Sequence, residues 1–331
     1  MKELISLGEG SGGRLTAQLI AGIIENFGAQ NGQKDGCEDC TFVEGSLAVT
    51  TDSFTVSPRF FPGGDMGHLS ICGSTNDLAV RGVRPQWLTM GMIIEEGLPR
   101  EELHRLVKSA AATCAQLGVT LAAGDTKVVP KGAAEGVFFS VTALGHSVTP
   151  QPLGMDRLKD GDALILTTSP GRHGTVIAAL RYGLDLGGLE SDCAPLWPLL
   201  EPLLPLPGLH CMRDCTRGGL GTVLCEWAES TGLGMEIEEE ALVLHPSVTA
   251  ICDILGFDPL YLASEGCALI ACAPEDADTV LSRLRAHPLG REAALIGHVT
   301  AEHGGIVGMK TSLGGTRIVD MPIGEILPRI C

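Results

Sequence analysis

Residues 47–65, LAVTTDSFTVSPRFFPGGD, combine a short apolar stretch, an acid and a glycine-rich turn. The β-branched and aliphatic residues at 47–50 predict a strand. Asp52 follows at the strand end, where an open α/β sheet usually presents its ligands. The turn at 60–65 leads to a helix that begins near Gly67 and carries Asn76 and Asp77, which either face solvent or join a site. This order predicts an α/β fold with a ligand site at one sheet edge.

The arrangement of strand, acid and glycine recurs further along the chain. Residues 119–123 predict a buried strand that delivers Asp125 at its end, and Asp214 precedes two glycines and a helix. Taken singly, each aspartate would be a surface or capping acid more often than not. Together with Asp52 and Asp77 they predict a Mg–ATP site, because Mg²⁺ usually takes one or two carboxylates plus nucleotide phosphates. The chain has no G-x-x-x-x-G-K-[ST], which excludes a P-loop enzyme.

A glycine-rich turn lies near the start of the chain. Residues 8–13, GEGSGG, match G-x-G-x-x-G and precede an amphipathic helical pattern. The match is weak as a dinucleotide fingerprint, because only residues 4–7 could form the strand before it. Backbone N–H groups before a helix still suit any phosphate. The segment is therefore either a phosphate loop or a flexible N-terminal turn.

Composition bounds the class of protein. The chain has 331 residues, 44% hydrophobic and 4% aromatic content and 44 glycines, which indicates an aliphatic α/β protein of two domains. We expect a first domain at 1–150 and a second at 151–310, because prolines and a glycine cluster at 148–158. The net charge of −17 argues against nucleic acid or an anionic membrane as a main partner.

Localisation and cysteine chemistry follow from the same composition. The N-terminus has no apolar run long enough for a signal peptide, and the longest uncharged run, 136–155, is too polar to span a membrane. We therefore predict a cytoplasmic protein whose 12 cysteines are reduced. Cys37 and Cys40 form a lone C-x-x-C, which is either a metal or redox pair or a surface accident.

The chain ends on a cysteine. Residues 311–331 predict a flexible tail, and Pro322, Gly324 and Pro328 exclude a helix near its end. Extended, residues 321–331 would reach about 35 Å at roughly 3.3–3.6 Å per residue. Cys331 is thus either a frayed surface thiol or a reactive group on a long arm.

Six strings along the chain resemble the motifs of one family. They are GSGG (10–13), TDSFTVSPRFFPGGD (51–65), STNDLAVRG (74–82), AAGDTKVV (122–129), RDCTRGGL (213–220) and PRIC (328–331). Through them the chain is similar to HypE, the [NiFe]-hydrogenase maturation protein, over essentially its whole length. The elements TD, ND, GDT and RDxTRGG are shared with aminoimidazole ribonucleotide (AIR) synthetase and selenophosphate synthetase, whereas the terminal PRIC separates HypE from them. The resemblance implies a two-domain PurM-like (AIR synthetase-like) architecture of mixed sheets with helices packed on them.

The same resemblance implies an activity and partners. The carbamoyltransferase HypF would load a carbamoyl group onto Cys331, and ATP-dependent dehydration would convert it to an S-cyanide. The cyanide would pass to iron held by a HypC–HypD complex. The resemblance also implies a homodimer formed through the N-terminal domains.

Residue roles come with the resemblance. Cys331 would be the nucleophile and carrier, Lys127 a donor to phosphate or carbamoyl oxygen, and Glu265 the base for the amide protons. The alternatives are a surface lysine and a loop carboxylate. Asp52, Asp77 and Asp214 would hold Mg²⁺. The ATP contacts would be Gly10, Ser11, Gly12, Gly13, Asp52, Asn76, Asp77, Asp125, Thr126 and Asp214.

Three positions have no assigned role. Glu9 stands where HypE proteins usually have histidine, and Cys267 stands where a lysine is common in relatives. His173 is either a nucleotide or substrate contact or a structural histidine.

A free thiol near pKa 8.5 is only a few per cent ionised at neutral pH, so we expect HypF to activate Cys331.

Two other functions fit the sequence. One is a selenophosphate synthetase-like or other ATP-dependent enzyme acting on a free small molecule, although such an enzyme would want a cysteine near its glycine loop and the first here is Cys37. The other is a non-catalytic thiol carrier or scaffold, which would bind ATP without a Cys331-dependent product.

Overall fold

The computed structural model describes residues 5–10, 13–26, 40–322, 327 and 330–331. Within these residues the chain forms two α/β domains, each built on a mixed β-sheet with helices packed on it. The predicted fold class is confirmed. No helix in the described ranges is long and apolar enough to cross a bilayer.

The described residues of the first domain form seven strands and three helices. A five-stranded sheet has the order β1-β2-β7-β5-β6, and β3 and β4 form a separate small hairpin. Neighbouring strands in the large sheet are antiparallel except β5 and β6, which are parallel and are joined by α3. The elements are α1 (Gly13–Glu25), β1 (Thr41–Glu44), β2 (Leu47–Phe54), β3 (Phe60–Phe61), β4 (Gly64–Asp65), α2 (Met66–Ala79), β5 (Val83–Glu95), α3 (Arg100–Leu117), β6 (Thr120–Val129) and β7 (Val137–Ser147).

The second domain follows with another seven strands. Its sheet has the order β14-β13-β10-β12-β8-β11-β9, and β10 and β13 are its parallel pair. The elements are β8 (Ala163–Leu166), α4 (Arg172–Tyr182), α5 (Trp197–Leu200), β9 (Leu209–Asp214), α6 (Gly219–Thr231), β10 (Gly234–Glu238), α7 (Pro246–Leu255), β11 (Ala268–Cys272), α8 (Ala277–Arg285), β12 (Ala294–Thr300), β13 (Val307–Lys310) and β14 (Thr316–Val319).

Helix α2 joins the two domains. Asp65 caps its first turn by accepting a hydrogen bond from the His68 N–H at 3.0 Å. The helix is apolar or small on nearly all sides, as expected of a helix buried all round. It packs on β2, β5 and β7 of its own sheet and also contacts α5 and β9 of the second domain. One hydrophobic core therefore runs across the domain boundary, with Leu69 and Ile71 from α2 and Val176 and Ile177 from α4.

Two sequence-based boundaries are corrected. The prediction that a tail begins at residue 311 is wrong, because β14 pairs with β13 from Lys310↔Thr316 to Val307↔Val319 and completes the second sheet. The prediction that Asp125 follows a strand end is also wrong. It lies inside β6, opposite Gly91, because the pairing with β5 continues to Val129.

Candidate active site

Two adjoining cavities lie where the domains meet. They share Asp52, Asp77, Thr216 and Arg217 in their walls. The first also has Gly13 and Asp214, and helix α1 covers part of it. The second, about 250 Å³, is closed by Glu265 and by the terminal Cys331. The acids, the glycine turn and the terminal thiol thus border one continuous region.

The three predicted metal ligands converge there. Asp52 comes from β2, Asp77 from the last turn of α2, and Asp214 from the end of β9, and all three line the first cavity. Thr50, two residues before Asp52 on β2, donates its hydroxyl to Asp77 Oδ2 at 2.7 Å. Carboxylate oxygens are the ligands that Mg²⁺ prefers, so this donor set fits the ion.

The walls also contain cations that the sequence-based assignment missed. Arg213 and Arg217 flank Asp214 in the string RDCTRGG and line the first cavity. Arg213 also pairs with Glu226 at 3.2 Å. Guanidinium groups bind phosphate oxygens in a bidentate fork, so these two side chains suit a nucleotide tail. The sequence string RDCTRGG could have predicted these cations, because two arginines near the end of a strand can bind an anion there.

Glu265 reaches the second cavity from the loop before β11 and is 2% exposed. Its Oε1 is buried and has no hydrogen-bond partner. Burial raises the pKa of Glu265 well above its ordinary value, and the nearby Asp214, Asp192 and Asp52 raise it further. The raised pKa favours the neutral carboxyl form in this state. A cation bound among the acids would lower its pKa and make it available as a base.

Two polar side chains, the buried Asn76 and the half-buried Asp192, hold the Glu265 loop. Asp192 accepts hydrogen bonds from the Glu265 and Gly266 N–H groups at 3.3 and 3.2 Å. Asn76 donates to the Glu265 and Ala194 carbonyl oxygens and accepts from the Leu196 N–H. Both amide hydrogens and the amide oxygen of Asn76 are engaged within the protein, and its predicted ATP contact stays a prediction. Nothing in the sequence pattern indicated Asp192.

The described residues of the C-terminal segment, Leu327, Ile330 and Cys331, pack against the protein core. His173 Nε2 donates to the Ile330 carbonyl oxygen at 2.7 Å, and the Thr55 N–H donates to the Cys331 carbonyl oxygen at 2.9 Å. Leu327 and Ile330 are buried in the core shared by the domains. His173 thus positions the tail, which agrees with the structural alternative for this residue.

Docking controls the chemistry of the terminal thiol. Burial raises the pKa of Cys331 to about 12, Arg217 opposes the shift, and Glu265 and Asp52 add to it. In this position the sulfur is a neutral thiol, which is a poor nucleophile. The inward position suits a group already carried on the sulfur better than the attack that would load it.

Some predicted site residues lie elsewhere. Asp125, Thr126 and Lys127 are exposed on the edge strand β6 and line neither cavity of this subunit, so the predicted contacts are not formed within one chain. The reason is that β6 is an edge strand, which in the described part of the chain pairs with β5 alone.

The N-terminal turn is only partly described. Gly13 lines the first cavity and has φ 73°, and a Cβ there would lie 2.5 Å from the Pro322 carbonyl oxygen. Gly10 is exposed at the end of a 3-10 turn. Ser11 and Gly12 lie outside the described residues. Glu9 accepts hydrogen bonds from the Ser6 N–H and hydroxyl and so closes its own turn.

Two further cysteines, Cys40 and Cys267, line neither cavity. Cys267 is fully buried, and its thiol donates to the Thr168 carbonyl oxygen at 3.5 Å. Cys40 is buried, whereas Cys37 lies outside the described residues, so a metal or redox role for this pair stays a prediction.

Comparison with known proteins identifies relatives that match both domains of this chain. Residues 37–147 match the family described as AIR synthase related protein, N-terminal domain, and residues 159–310 match its C-terminal domain. Carbamoyl dehydratase HypE from Rhizobium leguminosarum bv. viciae is 43% identical over 332 residues, covering 99% of this chain and 95% of the relative.

Solved structures of HypE proteins superpose on this chain over most of its length. The hydrogenase maturation protein HypE in complex with ATP superposes with a TM-score of 0.84 at 39% identity, covering 99% of this chain and 100% of the other. A HypE–HypF complex superposes with a TM-score of 0.85 at 37% identity, covering 91% and 99%. This chain therefore belongs to the HypE family of carbamoyl dehydratases, hydrogenase maturation proteins with the fold of the AIR synthase-related family.

Proposed function

We propose that this protein dehydrates a carbamoyl group carried as a thiocarboxamide on Cys331 to an S-cyanide, with ATP as co-substrate, and so supplies cyanide ligands for a [NiFe]-hydrogenase iron centre. The observation that carries the proposal is the shared cavity: the terminal sulfur borders the same space as Glu265, Asp52 and Asp77. The names of the relatives and the solved complex of HypE with ATP support it.

The chemistry requires a better leaving group than an amide oxygen. Transfer of the γ-phosphoryl group of ATP to the carbamoyl oxygen turns that oxygen into part of a phosphate. Loss of both N–H protons and departure of phosphate then leave S–C≡N on the cysteine. Positioning and electrostatic stabilisation are the main contributions a protein makes to such a transfer.

Each group of side chains has a task in this scheme. Asp52, Asp77 and Asp214 would hold Mg²⁺, which neutralises phosphate charge when bound. Arg213 and Arg217 would contact phosphate oxygens from the cavity wall. Glu265, once ionised, would accept an N–H proton, because it faces the cavity that the terminal sulfur borders.

The tail would act in two positions. The inward position seen here presents the carried group to the acids, and an outward position would present the thiol to HypF. Thiolate formation then occurs outside, where burial no longer raises the pKa of Cys331. A solved HypE–HypF complex supports HypF as the loading partner. We propose a HypC–HypD complex as the acceptor of the cyanide and the cytoplasm as the location.

We also propose a homodimer formed through the first domains. Strand β6 is exposed along nearly its whole length and carries Leu121 and Val128, which are 57% and 64% exposed. A second copy would cover this edge and these apolar side chains. Lys127, with Asp125 and Thr126, would then act at the site of the other subunit, as a donor to phosphate or carbamoyl oxygen.

Intact-mass analysis tests the proposed reaction. The full chain would be incubated with HypF, carbamoyl phosphate and ATP, desalted, and then given ATP alone. We expect a carbamoyl adduct that loses the mass of one water only when ATP is hydrolysed. Cys252→Ser, a substitution in α7, should behave as wild type. Unchanged adduct formation in Cys331→Ala would contradict the proposal, and ATP binding without any adduct would favour a non-catalytic scaffold.

A further inference from the structure

A second cluster of reactive side chains lies at the domain junction, outside both cavities of the candidate active site. His68 and Cys72 are one helical turn apart on α2, and Cys193 comes from the segment between α4 and α5. Their nitrogen and sulfur ligand atoms all lie within 4.8 Å of one another. We propose that His68, Cys72 and Cys193 form a binding site for a zinc-class divalent cation, which links the two domains.

The histidine is already oriented as a metal ligand. Thr113 donates its hydroxyl hydrogen to the Ser109 carbonyl oxygen at 3.0 Å, so its oxygen accepts from His68 Nδ1–H at 2.8 Å. Thr113 thus holds Nδ1–H and leaves Nε2 as the ring nitrogen nearer to Cys72 Sγ. A hydrogen bond from the second ring nitrogen is the usual support of a metal-bound imidazole.

The other ring nitrogen faces the two cysteines. His68 Nε2–H donates to the Cys193 carbonyl oxygen at 3.1 Å and lies 3.5 Å from Cys72 Sγ. A cation bound at Nε2 would take the place of this proton. A bound cation would satisfy the imidazole, the carbonyl oxygen and the sulfurs together.

The spacing and the ligand types indicate the metal class. Zn–S bonds of about 2.3 Å and Zn–N bonds of about 2.0–2.1 Å in a tetrahedron separate sulfur from nitrogen by about 3.5 Å. The observed distance from Cys72 Sγ to His68 Nε2 is 3.5 Å. Two thiolates and an imidazole favour Zn²⁺ over Mg²⁺ or Ca²⁺, which prefer oxygen. Small rotations of Cys193 would complete three protein ligands.

The site has a route for entry. Cys193 lines a third cavity, of about 300 Å³, together with Arg172, Asp192 and Arg291. Water or a small anion from this cavity would fill the fourth coordination position that three protein ligands leave open.

A cation at this site would also stabilise the segment of residues 191–193. Asp192, the neighbour of Cys193, holds the Glu265 loop, and Ser191 Oγ accepts from the Cys193 N–H at 3.1 Å and lies 2.8 Å from His173 Nδ1. A cation on Cys193 would therefore fix the segment that supports both Glu265 and the histidine that docks the tail.

Cobalt binding tests the site directly. Metal-free full-length protein would be titrated with Co²⁺ as a spectroscopic substitute for Zn²⁺. We expect one equivalent to produce a near-ultraviolet thiolate-to-cobalt charge-transfer band and visible bands of tetrahedral Co²⁺. Cys72→Ser and Cys193→Ser should each lose the charge-transfer intensity, and Thr113→Val should weaken affinity about 10- to 100-fold. The matched control Cys252→Ser should retain both signals.

A second measurement needs no substitution. Pulse alkylation of wild-type protein with N-ethylmaleimide, read by peptide mass spectrometry, should show Zn²⁺ slowing modification of Cys72 and Cys193 at least about 10-fold and leaving Cys252 unchanged. Absence of a thiolate–cobalt band in wild type, a band that survives in both cysteine variants, or alkylation unaffected by Zn²⁺ would overturn the proposal.

Discussion

His173 Nε2 donates a hydrogen bond to the carbonyl oxygen of Ile330 at 2.7 Å, although 157 positions separate the two residues in the sequence. The donor is buried, and its ring also packs edge-to-face on Phe61 at 5.1 Å. This bond ties Ile330 to the first turn of α4. Together with the Thr55 N–H, which donates to the Cys331 carbonyl oxygen at 2.9 Å, it positions the terminal thiol.

Removing that imidazole should release the tail. Loss of a buried hydrogen bond costs about 1–3 kcal/mol, which corresponds to roughly 5- to 100-fold greater exposure of the tail. We expect iodoacetamide to modify Cys331 about 10-fold faster in His173→Ala than in wild type. His146→Ala removes an exposed histidine and serves as the control. Equal rates in His173→Ala and wild type would show that the tail is held by other contacts.

The same histidine predicts a pH effect. Burial lowers the pKa of His173 from 6.5 to about 4, so the folded protein keeps the ring neutral while the unfolded chain takes up a proton. The neutral ring therefore contributes fully to the free energy of unfolding above pH 6.5, and this contribution is lost as the pH falls to about 4. The loss in free energy of unfolding is at most about 3 kcal/mol. Chemical denaturation gives the free energy of unfolding at each pH, and between pH 4 and 6.5 this free energy should rise more steeply with pH in wild type than in His173→Gln. Equal slopes in the two proteins would contradict a buried neutral ring.

Glu265→Gln should separate activity from stability. Dehydration should fall by about 10²–10⁴-fold, the range for loss of a general base, while the carbamoyl adduct still forms. Because the pKa of Glu265 is raised, its protonated form stabilises the fold below the unfolded pKa, and this contribution is lost as the pH rises. A neutral glutamine avoids the loss. The variant should be as stable as wild type or more so at pH 8, and normal dehydration in it would exclude Glu265 as the base.

Asp77→Asn tests the metal assignment. Thr50 can still donate to the amide oxygen of the new side chain, so the fold should be kept. The adduct should form, whereas dehydration should slow at least about 10-fold and require more Mg²⁺, because one anionic ligand is lost. Asp156→Asn, in the interdomain connection, is the control. Unchanged Mg²⁺ dependence would remove Asp77 from the ligand set.

Subunit mixing tests where Lys127 acts. Lys127→Ala and Cys331→Ala would each be inactive alone if both residues are needed. Mixed dimers should recover about a quarter to a half of wild-type dehydration if Lys127 serves the partner's tail, because intact lysine and cysteine then meet at one site. No recovery after verified subunit exchange would place Lys127 and Cys331 in the same chain or remove Lys127 from the reaction.

The sequence predicted the acids better than their surroundings. Asp52, Asp77 and Asp214 line one cavity at the domain junction, although Asp52 lies inside β2, whose pairing with β7 continues to Phe54, and not at the strand end. The position of Asp125 was wrong, because strand length depends on pairing with β5, which local pattern does not reveal. Asp192 and the docking role of His173 could not be predicted, since both depend on contacts between residues far apart in the chain.

The docked tail also sets how often the thiol can meet a partner. Burying an aliphatic side chain such as Leu327 or Ile330 is worth about 1.5–3 kcal/mol, before the entropy of ordering the tail is subtracted. A net preference of a few kcal/mol leaves about 1% or less of molecules with the cysteine outside. For a loading enzyme that recognises only this minor population, the apparent affinity equals the intrinsic affinity multiplied by the fraction of molecules with the cysteine outside. The reactive sulfur is thereby shielded from oxidants for most of its lifetime and is available mainly when a partner captures it.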